Sequence, residues 1–194
     1  MPILPLLDIV EGPDRFPPID PALWTAAMRE AAAGLVNSPR GEVRGPFVPL
    51  LRSPDLLDRT QKLGAYLRYD CTIAQRLREF AICVVARFWS QPYEWSAHAR
   101  LAHQAGVATQ TLASLRDGVC NPAAPQDERV IFGVCTMLLV EHKLDDAAFA
   151  QAAEILGEQG VVELAALCGY YSLLAMVMNV GRTPHPGEAF AIPA

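Results

Sequence analysis

Charge is scarce in this chain and nowhere concentrated. Only 19% of its 194 residues are charged, 16 basic against 21 acidic, for a net charge of −5. There is no basic run, so the electrostatic footprint of a nucleic-acid partner is missing. Cysteine pairing is missing too. The five cysteines (Cys71, Cys83, Cys120, Cys135, Cys168) are odd in number, widely spaced and without a C-x-x-C pair. That argues against a disulfide framework and for a reducing compartment, with thiols buried in apolar patterns acting as small hydrophobes. The N-terminus lacks a basic stretch and reaches Asp8 quickly, unlike a secretory signal. No apolar run approaches the roughly 18–20 residues of a membrane span, and the best candidate, 161–180, is interrupted by Glu163, Gly169 and Tyr170. It reads as a buried helix. The expectation is a soluble, cytoplasmic protein with neither a membrane nor a nucleic-acid partner.

What the chain has in plenty is apolar residues, 52% of the total, and prolines and glycines placed as helix punctuation. No segment alternates as a strand would. Residues 1–19 hold five prolines and read as an extended arm that packs on a neighbouring subunit. Asp20-Pro21 opens a helix to about Val36, and Ser53-Pro54 opens another to about Tyr69. Thr72 caps a helix bearing Glu79, and Ser90 caps the next, which Gly106 ends. Further helices span Thr109–Arg116, Gln126–His142, Asp145–Leu156 and Val161–Val180. The reading is one all-α helical bundle over 20–182, with a loose tail over 183–194. Its excess of apolar residues predicts a homo-oligomer, whether dimer, trimer or hexamer.

Residues 79 to 98 carry the chemistry. Glu79 is acidic in an otherwise apolar helix, and a carboxylate buried there needs a partner. Glu94 and His98, four residues apart, share one face of the following helix, whose first turn is flanked by Tyr93 and Trp95. The short turn makes the two helices neighbours. A carboxylate hydrogen-bonded to one imidazole nitrogen fixes the tautomer and raises basicity, as general acid/base work requires. Glu79 or Glu94 is therefore expected within about 2.6–3.2 Å of His98. His103 lies about 140° further round the helix and falls outside this cluster. Two carboxylates and one histidine can bind a divalent ion, but there is no second histidine on that face, so no metal is expected.

Glu79, Tyr93-Glu94-Trp95, His98 and Ala105-Gly106-Val107, together with Arg44-Gly45-Pro46-Phe47, Leu51-Arg52-Ser53-Pro54 and Gly169-Tyr170-Tyr171, resemble the carboxymuconolactone decarboxylase family. That family lies within the alkylhydroperoxidase D-like superfamily. The resemblance covers about residues 16 to 182 and implies an oligomeric helical bundle. The peroxidase branch carries a Cys-x-x-Cys pair where this chain has Gln91 and Glu94. Without a low-pKa thiolate and a resolving thiol, thiol peroxidase chemistry is not expected.

The decarboxylase branch needs no cofactor. Loss of CO2 from a carboxylated muconolactone leaves a dienolate, so the substrate is its own electron sink. The resemblance gives His98 the proton shuttle, Glu94 the place of its partner or of the acid, and Glu79 the orienting role. Arg44 is expected to bind a substrate carboxylate through its planar fork, with Tyr93 offering a hydroxyl. The leading expectation is a cofactor-free carboxy-lyase, or related proton-transfer enzyme, acting on a small lactone or unsaturated acid from aromatic-compound breakdown. The competitors are a non-catalytic binder of small acids on the same scaffold and a peroxidase-like member lacking the usual cysteines.

Overall fold

The computed structural model describes Leu4 and residues 9–193, and the described residues form helices and connecting loops without a β-strand. A 3-10 turn, Pro21–Leu23, precedes α1 (Ala26–Val36), α2 (Phe47–Leu50), α3 (Pro54–Ala65), α4 (Gln75–Phe88), α5 (Pro92–Gln104), α6 (Thr109–Arg116), α7 (Gln126–Val140) and α8 (Asp146–Gly181). The centre is α4, packed against α5, α7 and α8. Ile82, Cys83, Val84, Val85 and Ala86 are all fully buried, so α4 is apolar around its whole circumference there. Arg76 ties the start of α4 to Asp127 and Glu128 of α7.

Several expected caps fall one element away from where the sequence places them. Asp20 caps the 3-10 turn, accepting from Ala22 N at 2.9 Å, while Thr25 caps α1 through Met28 N at 3.2 Å. Ser90 does not cap α5. It takes a left-handed φ of 47° and closes α4, with Gln91 N bonded to Ala86 O at 2.8 Å. Gln91 is the cap of α5, its Oε1 accepting from Tyr93 N at 2.8 Å.

Thr72 does not cap α4 either: the helix begins at Gln75 with Ala74 in the cap position, and Thr72 instead donates to Glu163 of α8, from N–H at 2.8 Å and from Oγ1–H at 2.6 Å. The same carboxylate accepts from Tyr66 Oη at 2.5 Å and Gln159 Nε2 at 3.0 Å. Burial pushes Glu163 up, but these hydrogen bonds outweigh it and hold the carboxyl at about 2. This clamp fixes a π-helical turn, Tyr66–Asp70, that continues α3.

The two expected C-terminal helices run on as α8, broken at Gly157, whose φ of 68° and ψ of 168° are non-helical. By length and composition α8 would suffice to cross a membrane, contrary to the sequence reading; 56% of its most apolar window is buried within the fold.

The arm expected on a neighbour lies on its own chain where it is described: Leu4 N bonds Gly118 O at 3.0 Å and Arg15 N bonds Gly181 O at 2.8 Å. Residues 1–3, 5–8 and 194 fall outside the described part. The tail expected to be loose lacks helix but is anchored, with Trp95 Nε1 donating to Ala191 O at 3.0 Å and its ring 5.4 Å from that of Phe190.

Candidate active site

The three-residue turn Trp89–Gln91 returns the chain along α4 and sets His98 beside Glu79. His98 Nδ1 lies 2.6 Å from Glu79 Oε2, with the two side chains 7% and 3% exposed. The turn is held by Gln91, which donates from Nε2 to Asn179 Oδ1 at 2.8 Å. Asn179 in turn donates from Nδ2 to Trp89 O at 3.0 Å. Gln91 thus ties the α4–α5 turn to α8.

Burial pushes Glu79 up, but the hydrogen bond and charge of His98, with Arg68 and Arg78 behind, more than offset it and leave the carboxyl below its ordinary value. Burial dominates His98 and lowers it, with Glu79 opposing and Arg68 and Arg78 assisting. Both shifts favour a neutral imidazole beside a carboxylate at neutral pH. Nδ1 then carries the proton toward Glu79, an assignment that follows from the hydrogen bond. Nε2 is left as the basic nitrogen, and none of the described hydrogen bonds involves it. The ring of Tyr171 meets that of His98 edge-on at 5.1 Å and Tyr170 meets Tyr171 at 5.2 Å, so α8 supplies the wall.

Glu94 is 3% exposed and neither carboxylate oxygen finds a hydrogen-bond partner. Burial alone pushes it well above its ordinary value, which favours the protonated, neutral carboxyl. It is therefore an acid, while Glu79 is the partner of His98. Cys83 is fully buried, and its thiol is pushed well up by burial and by the charge of Glu79. Such a thiol is a poor nucleophile.

Arg44 is not brought to this cluster. Its guanidinium is 61% exposed and pairs with Glu42 at 3.0 Å. Tyr93, half-buried, packs its ring on Gly45, where φ is +55° and a side chain would collide with it. Burial raises its hydroxyl, with Arg44 lowering and Glu42 raising it in turn. His103 faces Val107 O at 3.3 Å, apart from the cluster as expected. The sequence reading does not single out Arg68; its bearing on the site is visible only once the π-turn brings its charge to act on Glu79. Among the described residues no group of three or more His, Cys, Asp or Glu side chains is placed to hold a metal ion.

No protein-family model and no curated protein matches the chain. Among solved structures it is similar to an uncharacterized peroxidase-related protein from Ralstonia eutropha JMP134, described as an alkylhydroperoxidase AhpD core. The TM-score is 0.75 at 16% identity, over 93% of this chain and 96% of that one. The fold is the alkylhydroperoxidase D-like helical bundle. At that identity the likeness shows the fold alone.

Proposed function

We propose that this protein is a cofactor-independent carboxy-lyase, or a closely related proton-transfer enzyme, acting on a small lactone or unsaturated acid such as 4-carboxymuconolactone. The observation that carries the reading is the buried Glu79–His98 pair, with Glu94 held neutral on the same helix face as His98. Heterolysis of the bond to the departing carboxylate releases CO2 and leaves its electron pair in the dienolate. A proton then moves to carbon, from Glu94 or through His98, and solvent restores it. A proton donor or acceptor placed in this way is typically worth 10²–10⁴-fold in rate. Glu79 holds the imidazole in its tautomer and stabilises it when it charges. The test is CO2 release from 4-carboxymuconolactone by wild type and His98→Gln.

One contact favours a second reading. Cys135 Sγ and Cys168 Sγ lie 3.6 Å apart between α7 and α8, and the structural neighbour is called peroxidase-related. In a thiol peroxidase one sulfur attacks the peroxide, giving a sulfenic acid and an alcohol. The second thiol then closes a disulfide with loss of water, and an external dithiol resets the pair. The contact with Cys168 and burial push Cys135 well up, which opposes the first step. Peroxide consumption in the presence of dithiothreitol separates the two readings.

A further inference from the structure

Between the α1–α2 loop, α3 and α8 lies a second set of buried polar groups without partners. Tyr170 is 4% exposed and the Arg40 guanidinium is the polar group beside its hydroxyl, which has no further hydrogen-bond partner; Nη1 of Arg40 is likewise buried and unbonded. The two groups meet across Gly64. A Cβ at that position would overlap the Tyr170 hydroxyl and lie 2.9 Å from Arg40 Nη2, so only glycine leaves room for the phenol there. The Arg40 guanidinium sits 5.2 Å from the Phe47 ring centroid and 5.8 Å from that of Tyr69, which fixes it in place. No ion pair among the described residues involves Arg40, although the chain carries 21 acidic residues.

A pre-positioned guanidinium beside a phenol whose O–H is still free to donate is suited to an anion with two acceptor oxygens. Arg40 Nη1–H and the Tyr170 O–H are buried donors without an acceptor, which calls for an occupant. The location connects this set to the acid/base pair: Tyr170 packs on Tyr171, and Tyr171 packs on His98. Arg68, whose charge reaches Glu79, His98, Tyr170 and Tyr171, adds positive potential on the same side.

We propose that Arg40 and Tyr170 anchor a substrate carboxylate beside the acid/base pair, a role the family resemblance gives to Arg44. The proposal rests on the acid/base reading for its ligand class, a small carboxylic acid whose reacting carbon lies toward His98. The carboxylate accepts from the guanidinium fork and from the phenol hydroxyl. Since the anchored carboxylate is held by charge, the carboxylate lost as CO2 is a second one, and the ligand is a diacid.

Binding, which needs no turnover, tests this separately from the chemistry. cis,cis-Muconate is titrated calorimetrically into wild type, Arg40→Gln, Tyr170→Phe, Arg44→Gln and His98→Gln, each checked for an unchanged melting transition. The expected result is a saturable wild-type isotherm, weakened about 10- to 100-fold by Arg40→Gln, several-fold by Tyr170→Phe, and little changed by Arg44→Gln or His98→Gln. Equal affinity in wild type and Arg40→Gln, or no wild-type binding at millimolar muconate, overturns the subsite. Loss of turnover in His98→Gln with muconate affinity intact supports both claims. Absence of any turnover with the binding pattern preserved overturns only the lyase reading.

Discussion

Nδ1 of His98 and Oε2 of Glu79 lie 2.6 Å apart, joining two helices that are consecutive in the chain. The pair fixes which nitrogen carries the proton, and with it the role of each carboxylate nearby. Glu79 takes the hydrogen bond from His98; Glu94 is buried without a partner and pushed well above its ordinary value, as the proposed role of proton donor needs.

Activity should therefore follow a bell in pH. The acid limb reports His98, whose imidazole must be neutral to act as a base and which titrates below its ordinary 6.5. The alkaline limb reports loss of the Glu94 proton, well above 4.5. A profile of kcat/KM checks this, and Glu94→Gln should remove the alkaline limb along with most of the activity.

Glu94→Gln should also stabilise the fold, increasingly so as pH rises. A carboxyl whose folded pKa is raised contributes stability below its unfolded value and loses it as pH climbs through the folded one. Melting temperatures of wild type and Glu94→Gln across pH 5 to 9 should diverge, the variant higher at the alkaline end. Parallel curves would show that Glu94 is not buried as an acid.

Glu163 behaves in the opposite sense. Its folded pKa is depressed to about 2, so its contribution is present above about 4.5 and is lost as pH falls toward 2. Glu163→Ala should cost on the order of 2 kcal/mol at neutral pH, since its hydrogen bonds to Tyr66 and Thr72 hold the π-turn. Urea denaturation at pH 7 and pH 3 should show the deficit shrinking at the lower value.

A homo-oligomer is expected through the outward face of α8, where Val162 is 70%, Met176 45% and Val180 57% exposed. These residues recur at helical spacing along one side, and burying them against a second copy removes apolar surface from water. Light scattering should report an oligomer that Val162→Glu with Val180→Glu dissociates. A wild-type monomer at micromolar concentration would contradict this.

Helix content was legible because proline and glycine bracket most elements, and the site was legible because Glu79, Glu94 and His98 sit on two helices joined by a short turn. Cap identities were not. Whether Ser90 or Gln91 begins α5 depends on a left-handed residue closing α4 through the Gln91–Ala86 hydrogen bond, a geometry that Ser90 gives no hint of. Thr72 looks like a cap, but α4 starts at Gln75 and Thr72 turns to donate to Glu163, 91 residues away. Arg44 stands out for its place in a motif, and the sequence does not show that its exposed guanidinium pairs with Glu42 while aromatic rings hold Arg40.

The most direct measurement compares turnover of 4-carboxymuconolactone by wild type, His98→Gln and Cys83→Ala. His98→Gln should lose about 10²–10⁴-fold in rate while keeping its fold. Cys83→Ala should keep its rate and cost roughly 1 kcal/mol of packing, because its fully buried thiol is held protonated. The reverse result, activity lost with Cys83 and retained without His98, would contradict acid/base chemistry at this site.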